Sequence, residues 1–178
     1  TIDKDMTIIS GIPSWVQMYF EKIVEKNQKK VGTVFQNFSL FIYGGVNYKP
    51  YEKKFKSLIG RKIDSIELFP ASEGFYAFQD KLESKDLLLI LNDGIFYEFI
   101  EEKKYHSNIF DRIPIAEVSL NINYVLIVST NAGLWAYNTG DTIKFTSLNP
   151  HRVIVTGRIA QFLSAFGEHV IVKEVELA

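Results

Sequence analysis

The sequence contains no cysteine. That removes disulfide partners, thiolate nucleophiles and cysteine-ligated metals, and is compatible with a reducing compartment. Histidine is scarce: His106, His151 and His169 lie far apart, and none has a second histidine at helix-face spacing, so they make no metal pattern. Long apolar runs are missing as well. Leu87 to Leu91 and Tyr124 to Val128 fall far short of a membrane span, and no signal-peptide pattern is present. Charge of one sign is also lacking. With 20 basic and 21 acidic residues interspersed, the net charge of −1 provides no field to recruit nucleic acid or an anionic membrane. The expectation is a cytoplasmic protein whose partners must be read from its sites.

What the chain does have is 178 residues that are 47% hydrophobic and 14% aromatic, enough to bury the core of one domain or of one compact piece of a larger one. It opens on threonine, the segment before Gly11 reads as the end of an element, and Glu174 to Ala178 stops inside a patterned stretch. Truncation at both ends is the expectation.

From Pro13, the residues Trp15, Val16, Tyr19, Phe20, Ile23 and Val24 recur at helical spacing, with proline suited to the first turn. Phe35 to Tyr43 reads as a buried strand running into Gly44-Gly45, a turn that lets the backbone approach something closely. Tyr51 to Ile59 reads as a short basic helix stopped by Gly60, and Ile63 to Phe69 as a strand ending in Pro70-Ala-Ser-Glu-Gly74. Strand ends followed by small polar residues are where open α/β sheets place ligands. From Phe75 the pattern changes to short strands: 87–91, 95–100, 116–120, 124–130, 134–138, 142–145 and 152–157. The turns between them include Asn92-Asp-Gly94, Asn131-Ala-Gly133 and Thr139-Gly140. The run Glu101 to Lys104 reads as a solvated loop or strand end. The fold class expected is mixed α/β, a sheet-plus-helix core followed by an antiparallel β-rich part.

Three segments could carry chemistry, and each is weak alone. Phe69-Pro-Ala-Ser-Glu-Gly74 reads first as a strand-to-loop turn; its functional reading gives Phe69 to a purine, Ser72 to a phosphate and Glu73 to Mg²⁺. Tyr137-Asn-Thr-Gly-Asp-Thr142 reads first as a hairpin loop, yet an aspartate held at such a turn can accept from both hydroxyls of a ribose. Gly157-Arg158, with Phe166-Gly-Glu168 and Glu174-Val-Glu176 beyond it, carries a cation whose planar fork suits ribose or phosphate oxygens.

Taken in order, these segments resemble the adenylate-forming superfamily of acyl-CoA synthetases, luciferases and nonribosomal-peptide adenylation domains. Ile12-Pro-Ser-Trp-Val16 before a long helix, Ser72-Glu-Gly74, Phe96-Tyr-Glu-Phe99 and above all Val125 to Asp141 are similar to the acyl acid amido synthetases. That family includes the plant auxin-responsive hormone-conjugating enzymes. The resemblance covers essentially the whole chain. It implies that Gly44-Gly45 pass the adenine, Phe69 stacks on it, Ser72 and Glu73 sit at the phosphates and Mg²⁺, Asp141 grips the ribose, Arg158 assists and Tyr137 supports the pocket. Trp15, Val46 and Phe75 are candidates for the acyl-acid wall, with core packing as the competing role. The sequence departs from the pattern at Pro70, where the superfamily often has glycine, at Ala136, which replaces a basic residue frequent in the plant enzymes, and at Ala160, often a charged hinge residue.

The resemblance further implies MgATP-dependent activation of a carboxylic acid as an acyl-adenylate, then transfer to an amine, usually of an amino acid. It implies a partial adenylation domain over 1–158, with 1–74 as its α/β part and 75–158 as its β-rich part, and a hinge and start of a C-terminal domain over 159–178. A Ser/Thr/Gly-rich phosphate loop is not found before Gly11, and no catalytic lysine is assigned within the chain, so activity is expected of the parent protein. An acyl-CoA or carrier-protein ligase and a noncatalytic binding module are the alternatives.

Overall fold

The computed structural model describes residues 4–82, 84–159, 162–165 and 168–171, the last two stretches as strand backbone. The chain divides into two units, Thr1–Leu87 and Leu88–Ala178.

The first unit runs β1 (Ile8–Ser10), α1 (Pro13–Asn27), α2 (Val31–Val34), β2 (Leu40–Gly44), α3 (Lys49–Ile59), β3 (Asp64–Ala71) and β4 (Gly74–Phe78). Its strands lie in that order, parallel from β1 to β3, with β4 folded back antiparallel on β3. Helix α1 follows the expected spacing. Pro13 stands in its first turn, where no intrahelical N–H is needed, and Val16, Phe20 and Ile23 form one buried stripe. Gln28 closes it in the left-handed conformation, its N–H donating to the Val24 carbonyl. Gly60 ends α3 in the same way, with φ +83°.

These helices and β2 enclose Phe20, Phe35, Phe38, Phe41 and Phe55, all essentially inaccessible. Phe55 is the hub, with ring centroids 5.3 Å from Phe20, 4.9 Å from Phe41 and 5.2 Å from Tyr48. The strand expected over 35–43 starts only at Leu40. The preceding residues turn tightly after α2 because the Arg61 guanidinium gathers the carbonyls of Phe35, Gln36 and Phe38, at 3.2, 2.6 and 2.7 Å.

Strand β5 (Leu87–Leu89) straddles the division between the units. The second unit continues with β6 (Ile95–Glu101), α4 (Glu102–His106), β7 (Ile113–Pro114), β8 (Asn123–Thr130), β9 (Tyr137–Leu148) and β10 (His151–Arg158). These strands are ordered β10-β9-β8-β6-β7, every neighbouring pair antiparallel. A separate hairpin joins β11 (Phe162–Ala165) and β12 (Glu168–Ile171). Strand β8 is buried on both faces from Tyr124 to Val128. One face carries Phe99, Tyr124 and Phe145 in mutual edge-to-face contact. The other carries Ile100, Val125 and Ile127, covered by Tyr105 and Ile159.

Three expectations change here. Residues 116–120 form no strand. A short 3-10 turn spans Ile115–Glu117, and the Ser119 N–H donates to the Tyr124 hydroxyl instead of a strand partner. The run 101–104, expected as a solvated loop or strand end, does end β6 at Glu101 but then turns helical over Glu102–His106, whose Tyr105 packs on the sheet. The strand expected over 134–138 begins only at Tyr137 and continues through 142–145 as one strand, β9, with no hairpin between them. The hinge position Ala160 and the Phe166-Gly167 and Glu174-Val-Glu176 signals lie outside the described residues.

Candidate functional site

The segment expected to form a hairpin loop, Asn138 to Asp141, is a bulge inside β9. Val125 of β8 faces Thr142 and Ile127 faces Asn138, so residues 139–141 stand against the single residue 126. Gly140 makes this possible by taking φ +79°, a conformation costly for residues with a Cβ. Each bulge residue is tied down. The Gly140 N–H donates to Asn138 Oδ1 at 2.9 Å, and the Asp141 N–H donates to Thr139 Oγ1 at 3.1 Å. The Thr139 hydroxyl itself donates to the Leu126 carbonyl at 3.0 Å. Just past β10, the Ile159 N–H donates to the Gly140 carbonyl at 2.8 Å.

Against β10 the register shifts at Thr156, between the pairs Val155–Ile143 and Gly157–Thr142, and this sets Asp141 opposite Arg158. Arg158 Nε donates to Asp141 Oδ1 at 2.7 Å, and Nη2 reaches toward the Thr139 carbonyl at 3.4 Å. The aspartate side chain is 11% exposed and that of the arginine 50%. The arrangement is therefore an inner anion steadied by a cation that itself faces solvent. Charge-assisted bonds of this kind are short and directional. A carboxylate accommodates about four hydrogen bonds, so its bond to Arg158 is compatible with accepting further donors such as vicinal hydroxyls. Tyr137, 40% exposed, begins the same strand opposite Val128.

In the first unit, Ser72 and Glu73 are the two turn residues of the β3–β4 hairpin, flanked by the pair Ala71 and Gly74. Ser72 is exposed and Glu73 half-buried. Phe69 is 7% exposed and packs edge-to-face on Tyr76, at a centroid distance of 5.1 Å and 71°. Pro70 sits at a bulge in β3, beyond the last residue paired with β2, where its missing N–H costs no ladder bond. Its ring explains Gly44: a Cβ there would lie 2.8 Å from Pro70 Cδ and 2.7 Å from the Leu68 carbonyl oxygen. Gly45 next to it has φ +80° and open space around it. Val46 is exposed and Phe75 half-buried. Trp15 is 75% exposed, so core packing, its competing role, is not what it does in this unit.

Sequence reading missed Tyr43 and Glu67, which face each other across β2 and β3. Burial foremost, with Glu67 next, raises the Tyr43 phenol well above its ordinary range. Burial also raises the Glu67 carboxyl, against the hydrogen bond from Tyr43 that lowers it. Burial and Glu52 push Tyr48 up to about 12. The alternation of β2 and β3 marked these positions only as strand residues. Tyr48 also helps to line a cleft of about 300 Å³ with Glu52, Lys56, Arg61, Lys62 and Asp64, and none of the sequence-derived site residues lies in it.

Residues 88–158 match the model of the GH3 family central domain, a span that contains the bulge and the Asp141–Arg158 pair. No curated protein sequence matches the chain. Among solved structures, the chain is similar to a GH3.15 acyl acid amido synthetase, with 15% identity and a TM-score of 0.61 over 88% of this chain and 29% of that one. It is also similar to a 2-hydroxyisobutyryl-CoA ligase in complex with 2-HIB-AMP and CoA, with 13% identity and a TM-score of 0.63 over 99% and 41%. A third is an NRPS protein containing adenylation and PCP domains, with 13% identity and a TM-score of 0.54 over 96% and 37%. At such identities the likeness shows the fold. The chain spans 29% of the GH3.15 synthetase and 41% of the CoA ligase.

Proposed function

From a chain whose residues 88–158 match the GH3 central domain and whose fold is that of adenylate-forming ligases, we propose that the protein is an ATP-dependent acyl acid amido synthetase. A carboxylate is a poor acyl donor because its leaving group would be oxide. In the proposed first step a carboxylate oxygen attacks the α-phosphorus of ATP and pyrophosphate leaves. In the second, an amine nitrogen, as of an amino acid, attacks the acyl carbon, AMP leaves and the nitrogen loses a proton. Little of this needs covalent chemistry from the protein; positioning and charge neutralisation do most of it.

The observation that carries this reading is the Asp141–Arg158 pair on its pinned bulge, inside the segment that matches the family model. We assign Asp141 to the ribose hydroxyls, with Arg158 holding the carboxylate and offering its remaining donors to ribose or phosphate oxygens, and Tyr137 supporting them. In the first unit, Gly44 and Gly45 are assigned to adenine together with Phe69, and Ser72 to phosphate. Trp15, Val46 and Phe75 are assigned to the acid.

Mg²⁺ is commonly held by one or two carboxylates plus the phosphates of its nucleotide. Glu73, held at the tip of a two-residue turn, fits that role. No group of three or more His, Asp or Glu among the described residues could hold a metal by itself, so phosphate oxygens would complete the set. When bound, the ion neutralises charge on the departing pyrophosphate.

ATP–pyrophosphate exchange by the full-length protein across a panel of carboxylic acids tests the proposal. Acid-dependent exchange is expected, followed by amide formation when amino acids are added; no exchange with any acid counts against it. The likeness to a CoA ligase keeps one alternative in view. Thioester formation with CoA or a carrier protein, in place of amide, would favour it. Failure to bind an acyl-AMP analogue in calorimetry, by folded protein, would favour a noncatalytic binding module.

A further inference from the structure

We infer that helix α4 positions the Asp141–Arg158 pair, and that Tyr105 is the residue through which it acts. The pair is not held by strand pairing alone. Asn138 accepts from the Gly140 N–H and so shapes the bulge, but its side chain is exposed and by itself could rotate away. Its other end is caught: Asn138 Nδ2 donates to the Tyr105 hydroxyl at 3.0 Å, across 33 residues of sequence.

Tyr105 also reaches the far side of the pair. Its ring packs on the cluster of Ile100, Val125 and Ile127, and the same cluster receives Ile159, the residue after Arg158. The Ile159 N–H returns to the Gly140 carbonyl. One aromatic side chain thus buttresses the chain before Asp141 by a hydrogen bond and shares its apolar seat with the residue after Arg158.

The helix is well placed to act as a fixed point. Asn123 Nδ2 donates to Glu102 Oε2 at 2.7 Å, anchoring the start of α4 to β8. The Thr156 hydroxyl lies 2.6 Å from Asn123 Oδ1 and 2.9 Å from Thr142 Oγ1, linking β10, β8 and β9 on that face. Lys104 pairs with Glu101 at the junction with β6. The helix that begins inside the charge run Glu101 to Lys104 therefore carries an anchored tyrosine beneath the bulge.

Tyr105 is a positioning residue. That it positions the pair stands on geometry alone, whereas its effect on nucleotide binding rests on the ribose assignment proposed above. The test uses the full-length protein and two variants. Tyr105→Phe keeps the ring on its cluster and removes the acceptor, and Asn138→Ser keeps a short oxygen near Gly140 but cannot span to Tyr105. Lys103→Ala, on the exposed side of α4, is the control.

The first readout is hydrogen exchange of the Arg158 Nε–H and of the Gly140 and Ile159 amides by NMR. Both variants are expected to speed these about three- to tenfold, the worth of one neutral hydrogen bond, with exchange in the cores of β6 and β8 unchanged and the control like wild type. Unchanged exchange at Arg158 overturns the inference. So does equal acceleration throughout the unit, which would make Tyr105 a general packing residue. Should Tyr105→Phe fail to fold, Asn138→Ser decides alone.

The second readout is AMP affinity by calorimetry, which is expected to fall by a similar factor in both variants. If Asp141→Asn weakens AMP and neither variant does, positioning of the nucleotide site by Tyr105 is overturned while the ribose assignment stands. If exchange at Arg158 quickens and AMP affinity is unmoved in all of them, including Asp141→Asn, the ribose assignment falls and the positioning stands.

Discussion

Arg158 and Asp141 face each other across β9 and β10, and the guanidinium Nε–H donates to the carboxylate at 2.7 Å. Two residues expected to act on one nucleotide thus meet first of all with each other. The pair comes ready-made, so the aspartate is oriented by its neighbour before any ligand arrives. Pre-organisation of this kind spares the cost of ordering the group on binding.

Asp141→Asn keeps the shape of the side chain and removes its charge. We expect nucleotide affinity to fall by about 1 to 3 kcal/mol, measured by calorimetry with AMP or an acyl-AMP analogue. An affinity equal to wild type would return Asp141 to the role of a bulge residue whose partner is only Arg158.

Gly44 and Gly45 differ in what they can accept. An alanine at Gly44 would press on the Leu68 carbonyl and the Pro70 ring, and a backbone oxygen cannot step aside. Gly44→Ala should destabilise by about 1 to 3 kcal/mol, the usual range for overpacking. Gly45→Ala meets open space and pays only for φ +80°, about 1 kcal/mol. Urea unfolding of both variants gives the order, and a Gly45 variant less stable than the Gly44 variant would contradict the packing argument.

Phe55 touches three other rings and is fully buried. Truncation to alanine should cost about 3 to 5 kcal/mol, read as a loss of denaturant midpoint. Trp15→Ala should leave stability within about 0.5 kcal/mol, because its side chain is mostly in solvent within this unit. A large loss at Trp15 would show that its face is covered in the full-length protein.

Glu67 gives a pH signature. Its carboxyl titrates above the ordinary range in the folded state, chiefly through burial. The folded protein therefore binds a proton that the unfolded chain has already released. The contribution is fully present below the unfolded carboxyl range and is lost as pH rises through the raised folded value. Glu67→Gln removes this contribution, so unfolding free energies taken from acid to neutral pH should fall less steeply with rising pH in the variant. Parallel curves would show that Glu67 does not titrate apart from the unfolded chain.

Local signals were legible where they depend on near neighbours. Pro13 and the spacing of Val16, Phe20 and Ile23 marked α1, and Gly60 marked the end of α3, because capping and helical periodicity act within a few residues. The motif residues Asp141 and Arg158 were legible by resemblance. Their contact was not, since it depends on the register of β9 against β10, which shifts at Thr156 inside a run that reads in the sequence as plain strand. The same limit hid the α4 helix and the acceptor role of Tyr105, which needs a partner 33 residues away.

The sequence by itself determined α1 and α3, the mixed α/β class and the residue types available to a nucleotide site, because these follow from local pattern and chemistry. Only the tertiary structure decided that Asn138 to Asp141 is a bulge in a continuous strand, that Phe69 is packed on Tyr76 and Trp15 left in solvent, and that Arg158 closes on Asp141. Those outcomes turn on strand register and burial, which are settled between residues distant in the chain.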